Sequence, residues 1–334
     1  SILVSDTTGF EAYVAENNPK FYQSILRSSK TYAKILAKDN PNSTFDAEKY
    51  AQSQMPKTAS SNADVKLAYL NGHFGYFQKC IFTTNGLGVI RNVNFFDSEN
   101  NLDLDLSPQE TKDSYDAKSL IPALETYFQL HPNFIYDYFL GDSGFDAVDN
   151  YAYLHERNIM PIISINPRND QSLPQPGFNE VGVPLCPYDS SLPMVYDGIT
   201  REKGRSDRIK YICPKAKKTK IKGKTQYILE CDNPCTTSRC GRIKQITVNH
   251  DFRFNTSMPR DSLKWQLLYK LRTIIERSIS QIKNFMQLLS SRVRNTRSIK
   301  SDVLLACISQ LIAFILMYRT NNSETPLAIK SLIA

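Results

Sequence analysis

Two aspartates stand where apolar, strand-like segments of the sequence end. Asp6 follows residues 2–4, and Asp142 follows the aromatic-rich residues 134–140. Because ligands of open α/β sheets gather at strand ends, two such aspartates on neighbouring strands can face one another. A close pair of carboxylates needs a cation, and oxygen ligands select Mg²⁺ or Mn²⁺ over softer metals. Aspartate at a strand end is also a common turn residue, so this pattern alone leaves both interpretations open.

A third carboxylate lies on a long helix predicted over about residues 262–289, where apolar side chains recur at helical spacing. Tyr269, Arg272, Glu276 and Lys283 follow one another at spacings of three, four and seven, which places them near one stripe of that helix. The stripe borders the apolar face, so Glu276 is expected to point toward the core. A solvent-exposed ladder of ion pairs is the alternative.

The spacing Tyr-x2-Arg-x3-Glu-x6-Lys resembles the sequence around the catalytic glutamate in one large group of bacterial insertion-sequence transposases of the DDE type. Residues 141–146 and 161–168 resemble the region of that family around its second aspartate, and residues 5–8 resemble the region around its first. The resemblance covers nearly the whole chain in order. It implies an α/β fold with an RNase H-like mixed sheet flanked by helices, and a Cys- and Lys-rich subdomain inserted between the second aspartate and the glutamate.

The same resemblance implies a function and roles for these side chains. Asp6, Asp142 and Glu276 would hold two Mg²⁺ or Mn²⁺ ions and catalyse metal-dependent DNA cleavage and strand transfer at the ends of an insertion sequence. Tyr269, Arg272 and Lys283 would contact DNA near the cut.

Two further aspartates compete with Asp142 as ligands. Asp137 falls within the predicted strand, and Asp146 is interpreted as a cap for the following helix.

Positive charge is concentrated in one part of the chain. Residues 201–300 hold 25 Lys and Arg against 7 Asp and Glu, although the net charge of the whole chain is only +8. Such a patch favours a polyanionic partner, most commonly nucleic acid. Arg168, Lys217 and Lys218 are therefore candidate DNA-binding residues. For residues 215–224, a solvated lysine-rich loop remains the alternative.

Five of the 7 cysteines fall within one stretch of the chain, and these are Cys186, Cys213, Cys231, Cys235 and Cys240. In a cell interior, clustered cysteines favour a metal over disulfides. Four thiolates could hold a structural Zn²⁺ that organises the inserted subdomain. Because paired CxxC motifs are absent, reduced structural cysteines stay open as the alternative.

The elements that must position these residues alternate between strands and helices, which predicts a partly parallel sheet. A meander of strands is predicted over residues 65–70, 77–84 and 88–96, followed by a helix at 119–130, a helix at 149–158 and a strand at 160–166. The predicted domains are residues 1–166 as the first part of the catalytic core, 167–242 as the Cys/Lys-rich insertion, and 243–334 as the remainder of the core with the glutamate helix and a C-terminal helix.

The expected partner is double-stranded DNA, both the terminal inverted repeats and the target, bound by a homodimer on paired ends. No secretory signal is recognisable in residues 1–10, so a cytoplasmic, nucleoid-associated protein is expected. The apolar run 303–318 is short for a membrane span and is interpreted as a buried helix. Related transposases usually carry a DNA-binding segment before the first catalytic strand, so an upstream segment is expected. An inactive DNA-binding relic and a nuclease or resolvase of the same fold are the alternatives.

Overall fold

A computed structural model describes residues 1–39, 44–70, 72–96, 108–166, 175–221, 224–239, 241–248, 252–254, 258–285 and 293–320. The chain divides into two compact units. The first unit comprises Ser1–Val4 and Phe134–Thr273, and the second comprises Ser5–Asn133 and Ile274–Ala334.

The strands follow one another along the chain as β1 (Ile2–Glu11), β2 (Thr58–Ala59), β3 (Asn62–Leu70), β4 (His73–Asn85), β5 (Ile90–Phe95), β6 (Tyr138–Gly141), β7 (Met160–Ile163), β8 (Val195–Thr200), β9 (Arg208–Ile212), β10 (Ala216–Ile221), β11 (Lys224–Leu229) and β12 (Ile243–Thr247). The helices are α1 (Pro19–Asp39), α2 (Ala47–Ser53), α3 (Pro108–Leu130), α4 (Val148–Glu156), α5 (Leu263–Lys270), α6 (Thr273–Phe285) and α7 (Thr296–Arg319).

The first unit contains a parallel sheet. The start of β1 pairs in parallel with β6, and β6 pairs in parallel with β7. Leu3, Phe139 and Ile162 on these three strands are completely buried. Continuous apolar runs are typical of parallel strands, which are covered on both faces. The prediction of a partly parallel α/β sheet is therefore confirmed.

A second, antiparallel sheet of the first unit has the order β12-β9-β8, and β10 and β11 form a separate hairpin. The small core of this region comprises Val183, Met194, Ile209, Tyr211 and Val248. β12 pairs with β9 in antiparallel register. The domain boundary at residue 242 stays a prediction.

The second unit is built on an antiparallel meander. β3 and β5 both pair with β4, β2 extends the sheet beyond β3, and the remainder of β1 lies beside β4. The turn between β4 and β5 begins at Asn85, whose side-chain oxygen accepts hydrogen bonds from the backbone N–H groups of Leu87 and Val89. Parallel pairs on one side of β1 and antiparallel pairs on the other make the sheet mixed, as predicted.

The prediction of one continuous helix over residues 262–289 is wrong, because two helices occupy the described part of this range. α5 ends at Lys270, and α6 begins at Thr273. Between them, the backbone N–H of Leu271 bonds the carbonyl of Leu268, and that of Arg272 bonds the carbonyl of Tyr269. Such bonds to the residue three positions back tighten the last turn and end the helix.

The last helix of the described chain, α7, begins at Thr296, seven residues before the apolar run 303–318, and ends at Arg319. Its length and apolar composition would be enough to cross a membrane. That observation is weak, because core helices of proteins that never enter a membrane meet the same criteria. One face of α7 is buried through Ile299, Val303 and Ala306, whereas Leu305 on another face is 61% exposed, so the interpretation as a buried helix holds for one face only.

Candidate active site

Asp142 lies directly after the central parallel strand of the first unit. It caps a short 3-10 turn, Ser143–Phe145, and its Oδ1 accepts a hydrogen bond of 2.9 Å from the N–H of Gly144. Gly141 precedes it, and a Cβ added there would lie 2.9 Å from Cδ2 of Phe145 and 3.0 Å from Cε1 of Phe139. The strand therefore ends in glycine because the two phenylalanine rings occupy the space, and this packing fixes where Asp142 leaves the strand.

The parallel register defines where the two predicted aspartates stand on their strands. Val4 of β1 is paired with Leu140 of β6, and Leu140 is paired with Ile162 of β7. Asp142 lies two residues after Leu140, and Asp6 lies two residues after Val4. Asp142 follows the end of β6, whereas Asp6 lies within β1, which continues to Glu11, so the prediction that Asp6 follows the end of its strand is wrong.

Asp146, a competing candidate, is held in a buried ion pair. Its carboxylate is contacted by Arg253, whose Nε lies 2.9 Å from Oδ1 and whose Nη2 lies 2.7 Å from Oδ2. The hydroxyl of Tyr151 donates to Oδ1 at 2.8 Å, and the N–H of Asn166 donates to Oδ2 at 2.6 Å. The prediction that Asp146 caps α4 is wrong, since the N-cap is Ala147. Because both oxygens are engaged by protein donors, Asp146 serves the fold.

Arg260 extends this buried network, which no sequence pattern had indicated. Its Nε donates to the carbonyl of Ile163 at the end of β7, and its Nη2 donates to the Tyr151 hydroxyl and to the carbonyl of Arg253. Burial raises the pKa of Tyr151 well above its usual range, so the phenol remains protonated and donates to Asp146. The network therefore ties the end of β7 to the turn that carries Asp142.

Tyr269 and Arg272 contact each other, as their spacing predicted. The ring of Tyr269 stacks on Trp265 with centroids 4.7 Å apart, and the guanidinium of Arg272 lies 5.7 Å from the centroid of the Tyr269 ring. Arg272 stands in the break between the two helices, however. The continuous helical stripe predicted to carry Tyr269, Arg272, Glu276 and Lys283 is therefore interrupted.

Glu276 lies in the first turn of α6, in the second unit, and its side chain is exposed. The expectation that it points toward the core is wrong. The buried face of α6 is filled by Ile275, Ile279 and Ile282, and by Ser278, whose hydroxyl donates to the carbonyl of Gly88 at 2.6 Å. A carboxylate in the first turn of a helix is stabilised by the helix dipole.

Lys283 lies on the same helix and is buried, with 9% of its surface exposed. Its ammonium group lies 5.5 Å from the centroid of the Phe10 ring. Burial lowers the pKa of Lys283, against an opposing contribution from Cys80 and from Asp6. The carboxylate of Asp6 therefore interacts electrostatically with Lys283. Oδ1 of Asp6 also accepts a hydrogen bond of 2.9 Å from the N–H of Thr7.

The candidate DNA-binding lysines of the basic segment have acidic partners. Nζ of Lys217 lies 2.6 Å from a carboxylate oxygen of Glu230, and Nζ of Lys218 lies 2.9 Å from Oδ1 of Asp197. Both lysines are nevertheless largely exposed. Arg168 lies outside the described residues.

The cysteines of the predicted zinc site partly converge. Cys186, Cys213, Cys231 and Cys235 line one cavity of about 130 Å³. All four are free thiols, and Cys240 lies outside the described residues. Across the part of the chain that the structure describes, no three His, Cys, Asp or Glu side chains are gathered closely enough to hold a metal ion.

Comparison with known families places this site in context. The family model of the transposase DDE domain matches residues 84–312, a span that includes Asp142, Glu276 and Lys283 and excludes Asp6. No curated protein sequence matches the chain. The matched span covers more than half of the 334 residues and agrees with the mixed sheet and its flanking helices. The chain therefore belongs to the transposase DDE domain family.

Proposed function

We propose that this protein cleaves DNA at the ends of an insertion sequence and joins the freed 3′ ends to target DNA. Asp6, Asp142 and Glu276 are the carboxylates of this active site. The observation that carries the proposal is the position of Asp142 directly after β6, within the span that matches the transposase DDE domain. Ligands of α/β folds bind at such carboxyl ends of parallel strands.

The residue types fit hard divalent cations. Three carboxylates offer only oxygen donors, which suits Mg²⁺ or Mn²⁺ and disfavours softer metals. When bound, two such ions would activate the attacking water or 3′-hydroxyl and stabilise the leaving oxygen at phosphorus. Glu276 supports this assignment because an exposed carboxylate at a helix end is accessible to an ion and to DNA.

The cationic side chains bind the substrate in this proposal. Arg272, held against the face of Tyr269, presents a planar guanidinium that suits a DNA phosphate. Lys283 lies in a largely buried position, where its charge is incompletely solvated and a phosphate would be a favourable partner. The substrate is double-stranded DNA in the cytoplasm, namely the terminal inverted repeats and the target, and a homodimer would hold two ends together.

A cleavage assay tests the proposal. Labelled duplex DNA carrying the inverted repeats that flank the coding sequence is incubated with the protein and Mg²⁺ or Mn²⁺, and nicked and joined products are resolved on a denaturing gel. Glu276→Gln and Asp142→Asn should each abolish both products, because a neutral amide lacks the negative charge with which a carboxylate holds a divalent ion. Glu125→Gln, an exposed glutamate on α3, is the matched control and should retain activity.

Each failure has its own meaning. Cleavage that survives Glu276→Gln overturns the assignment of the active site. If nicked products form but joined products do not, the protein is a nuclease or resolvase rather than a transposase. If the unmodified protein binds the end DNA but does not nick it, the protein is a DNA-binding relic rather than a transposase.

A further inference from the structure

Four cysteines from three remote parts of the sequence meet around one cavity of the first unit. Cys186 comes from the loop before β8, Cys213 directly follows β9, and Cys231 and Cys235 follow β11. Cys213 is 6% exposed, and the other three are partly buried. The catalytic proposal uses none of these thiols.

Backbone hydrogen bonds hold the segments around this cavity together. The N–H of Glu230 donates to the carbonyl of Lys215, which joins the segment of Cys231 to that of Cys213. The N–H of Cys186 donates to the carbonyl of Leu192 and closes a tight loop at the first cysteine. Each of these three cysteines thus lies on, or within two residues of, a backbone bond that fixes its segment.

The buried apolar core of this region does not contribute to the wall of the cavity. The five buried residues of that core, Val183, Met194, Ile209, Tyr211 and Val248, do not line the cavity. The lining of the cavity also includes the exposed cations Lys215 and Arg242 and the exposed carboxylate Asp189.

We propose that Cys186, Cys213, Cys231 and Cys235 bind one structural Zn²⁺. Zinc prefers a tetrahedron of ligands, and a set of four thiolates leaves no position for a catalytic water. The ion would carry a net charge of about −2 together with its four thiolates, and Lys215 and Arg242 would offset that charge. The role assigned to the ion is to fix the ends of β9 and β11, so it is independent of DNA chemistry.

The four thiols line the cavity, but as they stand they are not close enough to one another to hold a metal ion together. Ion binding must therefore draw them inward, which couples metal binding to ordering of the segments that carry them. Removal of the ion is expected to loosen residues 213–239 first, because two of the three cysteine-bearing segments lie there.

Metal content is the direct test. The protein is purified under reducing conditions without chelator, and its metals are measured by mass spectrometry. We expect about one zinc per chain, and Co²⁺ in its place should give the intense near-ultraviolet absorption of cobalt–thiolate bonds. Hydrogen exchange after chelation should rise in residues 213–239 before it rises in the second unit. Zinc-free protein that also gives no cobalt–thiolate absorption overturns the proposal.

Matched variants identify the ligands and guard against simple misfolding. Cys235→Ser should lose the zinc, whereas Cys235→His should retain it, because histidine is also a zinc ligand. Cys307→Ser, in α7 of the second unit, is the control and should retain full zinc content. Cys240→Ser should also retain zinc, and loss of zinc from that variant would overturn the four-ligand assignment. Because zinc content is measured without DNA, failure here leaves the catalytic proposal standing.

Discussion

Val4 of β1 and Leu140 of β6 are paired in parallel register, and both are completely buried. An aspartate follows each of them by two residues, at Asp6 and Asp142. Side chains of a strand alternate between faces, so a residue two positions later in β1 returns to the face of Val4. Asp6 therefore lies on the face of β1 that carries the buried Val4.

Loss of the buried ion pair between Asp146 and Arg253 should weaken the first unit. Asp146→Asn leaves the Arg253 guanidinium buried without its counter-charge, and we expect a loss of about 3 kcal/mol in the free energy of unfolding. The only tryptophan, Trp265, lies in this unit, so its fluorescence during urea unfolding reports the change. Asp149→Asn, an exposed aspartate in the first turn of α4, should cost well under half as much. Equal losses in the two variants would contradict a structural role for Asp146.

Asp197 should make stability depend on pH in the acid range. Burial alone would raise its pKa, but hydrogen bonds from Lys210, Lys218 and Tyr227 outweigh burial and lower the pKa from 3.8 to about 2. A lowered carboxyl pKa stabilises the fold above pH 3.8, and the contribution disappears as the pH falls through about 2. At neutral pH this difference corresponds to about 2 kcal/mol, an upper figure because Lys218 is exposed.

The measurement compares urea unfolding of the unmodified protein and of Asp197→Asn at several pH values. The gap between their stabilities should be widest above about pH 5 and should shrink toward pH 2. Asp232→Asn, an exposed aspartate beyond β11, should show no such convergence. A constant gap across this range would mean that Asp197 is not held by charge.

Lys283 should show opposite effects on stability and on activity. Its pKa is lowered by burial, so the fold disfavours its charged form. Lys283→Met keeps a long apolar stem without the charge, and we expect it to raise the free energy of unfolding by about 1 kcal/mol. The same variant should lose DNA cleavage, because no cation remains for phosphate. Calorimetry and the cleavage assay test the two effects, and Arg277→Met, exposed on the same helix, is the control.

Either of two results would contradict this account of Lys283. If Lys283→Met lowers the melting temperature, the ammonium group is well paired in the fold. If it leaves cleavage unchanged, Lys283 does not contact the substrate.

The parallel strands and their connecting helix were predictable because local patterns define them. β6 begins four residues after the start of the predicted strand 134–140 and ends one residue beyond it, and β7 begins where the strand 160–166 was predicted but ends three residues earlier. The helix predicted at 149–158 corresponds to α4 with ends shifted by one or two residues. The turn at Asn85 was also predictable, because asparagine followed by glycine favours a tight turn.

Other features were not predictable, because they depend on contacts distant in sequence or on single backbone bonds. The partner of Asp146 is Arg253, 107 residues away, and no spacing rule joins them. The break after Lys270 arises from backbone bonds at Leu271 and Arg272 within an otherwise helical pattern. The exposure of Glu276 follows from its neighbours, since three isoleucines of α6 already fill the buried face.

The most direct test of the three-carboxylate site replaces Mg²⁺ with Fe²⁺ in the presence of the end DNA, ascorbate and peroxide. Hydroxyl radicals formed at the bound iron cut the backbone near its ligands, and mass spectrometry locates the cuts. We predict cuts next to Asp6, Asp142 and Glu276 in the same sample, suppressed by excess Mg²⁺ and lost in Glu276→Gln. Cuts that avoid any one of these residues, or that persist in Glu276→Gln, would contradict a shared metal site.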